Sequence, residues 1–145
     1  MHTRLTGPFQ ALRIALGLTA TLAGLDKFFN ILADWGSYVS PLAVQALPIP
    51  PGVLMSLVGI VEFAVGLAIL VVAPRIGAYI ASAWLLLVAV NLVAGGHFDV
   101  AVRDVVMSIA AFVVARSIEV TGDAPARAVI SSPSVSAADK RQVPA

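Results

Sequence analysis

Four long apolar runs, separated by short polar breaks, dominate the chain. They cover about residues 9–32, 53–73, 76–96 and 99–118. Each is close to the roughly 20 residues a helix needs to cross about 30 Å of hydrocarbon. Inside a bilayer an open chain can satisfy its backbone only as a helix. The second run is interrupted by Glu62 alone, and the third carries no charge. The segment Asp34–Gly52 contains Pro41, Pro48, Pro50 and Pro51, which makes it a loop with room for a short interfacial turn. Its Trp35 and Tyr38 suit the headgroup layer. Pro74-Arg75 marks a tight turn, so the second and third helices form an antiparallel hairpin, and Gly95-Gly96 separates the third from the fourth. The pattern predicts an all-α integral membrane four-helix bundle over residues 1–120. Residues 121–145, rich in Ser, Pro, Asp and Lys, read as a disordered cytosolic tail.

Composition agrees with a bilayer as solvent. Of 145 residues, 59% are hydrophobic and 12% charged, about half the charge of an ordinary soluble domain. A net charge of +1 and no basic patch give no case for nucleic acid. With no cysteine, the chain has no thiol relay, disulfide framework or Cys metal site of its own. Arg4, Arg75, Arg127, Lys140 and Arg141 fall at the N-terminus, the second turn and the tail, while residues 36–52 hold no Lys or Arg. The positive-inside rule then puts both termini in the cytoplasm. The first apolar run exceeds a 7–15-residue signal core, so a retained helix is expected rather than a cleaved leader. The chain is expected to cross its membrane several times.

Several charges are too deep for water. Twelve uncharged residues (14–25) separate Arg13 from Asp26 and Lys27; as helix they span about 18 Å, short of the hydrocarbon thickness. Eleven (105–115) separate Asp104 from Arg116, about 16 Å. Asp26, Lys27, Arg103 and Asp104 therefore come to similar depth in the outer half, with Asn91 beside them and His97 and Asp99 just above. Glu62 has about nine largely apolar residues on each side and lies near the midplane; its carboxyl is either protonated or paired with a cation. Gly59 and Gly66 share its helix face, and Gly17, Thr21 and Gly24 make a similar small stripe leading to Lys27. Such stripes allow close helix approach and permit homo-oligomers without requiring them. Plainer readings stand beside these: Lys27 and Arg13 as snorkelling cations, Arg103 and Asp104 as a bundle staple, Glu62 as a neutral core acid, Asn91 as a bridge between helices, and Trp84 as a packing or lipid-facing residue.

His2 and His97 lie on opposite sides, so an intrachain bis-His haem is not expected, and no metal-ligand spacing or nucleotide motif is present. No catalytic residue is assigned. What remains is a carboxylate-and-cation pocket walled by apolar helices, suited to a quinone or another lipophile with polar ends, and equally to proton relay. Candidates for ligand binding or proton handling are Glu62, Asp104, Arg103, Lys27, Asp26, Asn91 and Arg13.

Three stretches carry a family resemblance: LRIALGLTATLAGLDKFFN at Leu12–Asn30, GIVEFAVGLAIL at Gly59–Leu70 and GHFDVAVRDVVMSIAAFVVAR at Gly96–Arg116. In order and spacing the chain resembles the DoxX family of small four-helix bacterial membrane proteins. The resemblance places the family's recurrent polar positions on Arg13, Lys27, Glu62 and Asp104. It implies association with oxidoreductase complexes, as in thiosulfate:quinone oxidoreductase subunits and an actinobacterial oxidant-defence assembly. The chain is then expected to be an accessory subunit that binds a quinone-like or small anionic ligand, with no intrinsic cofactor beyond such a quinone. Its partners would be membrane lipid and soluble redox enzymes. A proton-coupled small-solute transporter and a non-enzymatic membrane scaffold for redox partners are the other two classes the residues allow.

Overall fold

The structure, a computed structural model, describes residues 3–122. All of the regular structure in this range is helical. The long helices are α1 (Thr3–Asp26), α3 (Pro51–Leu67), α4 (Pro74–Ala94) and α5 (Phe98–Gly122). Between α1 and α3 lie a 3-10 turn, Trp35–Tyr38, and the short α2, Pro41–Ala46. Proline opens α2, α3 and α4 at the first helical position, where its missing N–H would have had no intrahelical partner. Ser40 Oγ accepts the Ala43 N–H at 3.1 Å and so caps α2. Helix α3 widens into a π-helical turn over Ala68–Val72, closed by Ala73 N–H on the Ala68 carbonyl at 3.0 Å. Gly96, at φ +81°, ends α4 in the left-handed conformation. There the His97 N–H reaches back to the Leu92 carbonyl at 2.8 Å.

Two boundaries differ from the sequence reading. Helix α1 stops at Asp26, not near Leu32. The Asp26 carboxylate accepts the N–H groups of Ile31 and Leu32 at 3.0 and 2.9 Å, and Asn30 turns the chain at φ 52°. A side chain thus satisfies donors that a continued helix would have satisfied with backbone carbonyls. At the other end, Thr121 and Gly122 complete α5; the remainder of the expected tail lies outside the described residues.

The helices pair as α1 with α3 and α4 with α5, and thinner contacts join α1 to α5 and α3 to α4. Small residues fill the seams. Ala78, Ala81 and Ala89 of α4 are buried beside Ala101, Ala111 and Ala115 of α5, and Ser108 Oγ donates to the Ser82 carbonyl at 2.7 Å across that seam. Large apolar side chains point outward instead, among them Ile14, Leu18, Leu22, Ile60, Leu87 and Ile109. This inside-out distribution is what lipid permits: close backbone packing and hydrogen bonds hold the helices together where no water drives apolar burial. Among the described residues three segments are long and apolar enough to cross a membrane: Gly7–Asp26, Pro51–Val72 and Pro74–Ala94. Helix α5 interrupts its apolar sequence with Asp99, Arg103, Asp104, Arg116 and Glu119.

The α1–α3 seam is the tightest. A Cβ added at Gly24 would stand 2.5 Å from the Phe63 nitrogen and 2.7 Å from the Gly59 carbonyl oxygen. Both obstacles are backbone, so the helices themselves would have to part. Gly24→Ala is therefore expected to lower unfolding stability in lipid–detergent micelles by about 1–3 kcal/mol. Gly52→Ala, where an added Cβ meets nothing within 4 Å, should stay within about 0.5 kcal/mol of wild type. Equal stability of the two variants would contradict this packing.

Candidate functional site

The site is assembled from the α1–α3 seam. Gly59 and Gly66 flank Glu62 on one face of α3, and they meet Gly24 and Gly17 of the antiparallel α1. Thr21, between those two glycines, turns its hydroxyl back to the Gly17 carbonyl at 2.8 Å and leaves its hydrogen-bonding demand inside α1. With the backbones this close, Lys27 at the end of α1 reaches across: Nζ lies 2.5 Å from Glu62 Oε2. The two side chains are only 5% and 14% exposed, so neither charge is answered by water. Of the two sequence options for Glu62, the structure takes the cation partner.

The loop after α1 closes over this pair. Asp26 stands apart from this pair and organises the loop. Besides its two backbone contacts, its Oδ2 accepts the Trp35 indole N–H at 2.8 Å. That bond lays the Trp35 ring over Lys27, with Nζ 3.8 Å from the ring centroid. Lys27 is held between a carboxylate and an aromatic face. Further along, Asn91 of α4 pins the loop from beneath: Oδ1 accepts the Ser40 N–H at 3.2 Å and Nδ2 donates to the Tyr38 carbonyl at 2.8 Å. His97 adds a hydrogen bond to the Ser37 carbonyl at 3.1 Å and an edge-on contact with the Tyr38 ring.

Beneath this cover is a cavity of about 790 Å³, within the usual range for small-molecule sites. Lys27, Glu62, Asn91, Arg103 and Asp104 all line it. Asp104 is buried, and Arg103 bends back so that Nε and Nη2 each lie 3.1 Å from Asp104 Oδ1. Two cations and two anions from α1, α3 and α5 thus border one space and balance one another. The rest of the wall is largely apolar, including Leu16, Val65, Ile69 and Met107. Among the described residues no group of three His, Cys, Asp or Glu is placed to hold a metal ion.

Of the seven sequence candidates, five share the cavity. Asp26 secures its cover, and Arg13 lines a different cavity among Phe9, Arg75 and Thr121. Sequence reasoning missed two tryptophans. Trp35 belongs to the site as the ring over Lys27, and no local pattern announced that contact across eight residues. Trp84 also lines the cavity; its Nε1 is buried without a hydrogen-bond partner, facing the Glu62 carboxylate. The indole N–H thus stands at the cavity wall, turned toward the carboxylate that Lys27 pairs with.

The sequence profile of the DoxX family matches residues 9–95, which takes in α1, α3, α4 and the covering loop. The match ends before Gly96, so the third resembling stretch, with Arg103 and Asp104, lies beyond it. No curated protein and no solved structure matches the chain.

The geometry makes Lys27 and Glu62 a unit. Lys27→Met leaves a buried carboxylate unpaired and Glu62→Gln leaves a buried ammonium unpaired, so each alone is expected to cost about 3–5 kcal/mol of stability. The double variant should be more stable than either single one, because it strands no charge. Unfolding measurements of all four proteins check this; strictly additive losses would mean the side chains do not interact.

Proposed function

This chain belongs to the DoxX family of membrane proteins, and we propose that its large cavity holds a quinone-like lipophile or a small anionic ligand for a redox-associated complex of the bacterial inner membrane. In this reading four helices cross the bilayer, α5 included. Both termini face the cytoplasm, as the distribution of Lys and Arg favours. The observation that carries the proposal is the meeting of Lys27, Glu62, Arg103 and Asp104 in one largely apolar cavity. Charged groups at such depth are costly and are characteristic of ligand and proton pathways.

Each residue then has a chemical task. Lys27 and Arg103 offset negative charge on a ligand oxygen. The Trp84 N–H donates to a carbonyl or oxyanion. Glu62 and Asp104 pass protons. Reduction of a quinone to its quinol takes up two electrons and two protons; the carboxylates serve the protons, and a soluble partner's cofactor supplies the electrons. The chain is an accessory subunit in this scheme.

Extraction into native membrane discs without detergent, followed by mass spectrometry of bound lipophiles, tests the reading. Wild-type protein is expected to carry a quinone, and Trp84→Phe, which removes one donor and keeps the ring, should lower its occupancy by up to about tenfold. Wild-type protein free of quinone and of small anions, together with proton flux in vesicles that Glu62→Gln abolishes, would replace this reading with transport.

A further inference from the structure

A second cavity, of about 480 Å³, lies at the opposite end of the helices, between α1, the turn into α4 and the last turns of α5. Its polar lining is Arg13, Arg75, Gln10, Ser117 and Thr121, with no acidic residue among the described lining. The two hydroxyls are already committed: Ser117 donates to the Val113 carbonyl and Thr121 to the Ser117 carbonyl, each at 2.7 Å. The donors left to face the space are two guanidinium groups and one amide.

Neither arginine forms an ion pair with a described residue. The ion pairs found among those residues are Lys27–Glu62, Arg103–Asp104 and Arg116–Glu119, so the nearby Glu119 is already engaged by its own neighbour on α5. Arg13 Nε is buried and has no hydrogen-bond partner. A buried guanidinium N–H left unmade is costly, and a planar fork of donors matches the oxygens of a phosphate or a carboxylate, the phosphate offering enough oxygens for two guanidinium groups at once. Helix α4 begins at Pro74 in this wall, which adds the positive end of its dipole. The remaining lining is apolar, with Phe9, Ile76, Val114 and Ile118. A compact anion alone would leave that surface bare; an anion with a hydrocarbon body covers it.

We propose that this cavity binds a phosphate-bearing anion, and that the phosphodiester of an anionic glycerophospholipid is the source its mixed lining fits. Arg13 and Arg75 take the phosphate oxygens, Gln10 a neighbouring ester or hydroxyl, and the apolar wall the start of an acyl chain. The site is separate from the quinone-like cavity and does not depend on what that cavity holds.

The test uses the full chain in nanodiscs of mixed phosphatidylglycerol and phosphatidylcholine, with native mass spectrometry of retained lipid. Wild type should retain phosphatidylglycerol over phosphatidylcholine, and Arg13→Gln or Arg75→Gln should each reduce that preference by about tenfold, the loss of one charge-assisted contact. If Arg13→Gln does not fold, the exposed Arg75 carries the test alone. In a second arm, inorganic phosphate is titrated onto protein in pure phosphatidylcholine discs while thermal unfolding is followed. Stabilisation by phosphate without a lipid preference supports the anion site and assigns it to free phosphate. No preference and no response to phosphate, or a preference that survives both substitutions, overturns the proposal.

Discussion

A carboxylate near the middle of an apolar helix needs a cation, and the cation can reach it only if two helices touch. That constraint organises this molecule. Glu62 is eleven residues from the start of α3 and ten from the end of its π-helical turn, roughly 15 Å of helix on either side, too far for its short stem to reach water. Lys27 reaches it because Gly17, Gly24, Gly59 and Gly66 bring the backbones of α1 and α3 together. The glycines are placed for the ion pair as much as for packing.

The cover over the cavity follows from the same economy of polar groups. Asp26, Trp35, Asn91, Ser40 and His97 satisfy one another or the loop backbone, so these contacts tie a non-helical segment against the helices. Among the described residues two buried side-chain N–H groups are left over, Trp84 Nε1 and Arg13 Nε. Each belongs to a residue that lines one of the two cavities. In a structure that otherwise pairs its buried side-chain polar groups, these two donors are the exceptions.

Much of this was legible in the sequence, and the rest was hidden for identifiable reasons. Burial could be read by counting: the spacing of Asp26, Lys27, Glu62 and Asp104 along helices of known rise left them too few residues to reach water, and all four are largely buried in the protein; the small residues at i−3 and i+4 from Glu62 indicated the face it presents. Facing could not be read from hydrophobic periodicity, because these helices are apolar all round. The early end of α1 was hidden because Asp26 stops it with a side chain that periodicity counts only as one more polar residue. Asn91 looked like a ligand contact, whereas both ends of its amide hold the loop. Arg13 resembled Lys27 as a deep cation, but it belongs to the other end of the helices and to another cavity. Trp35 and Trp84 were the hardest, since an aromatic residue in an apolar sequence carries no sign of whether it faces lipid, loop or site.

The ion pair requires Glu62 to be ionised inside the protein. Infrared difference spectra between wild type and Glu62→Gln, recorded in bilayers, report that state directly. The account predicts that the substitution removes the stretching band of an ionised carboxylate. Loss of a protonated carboxyl band instead would show a neutral acid at this position and would contradict it.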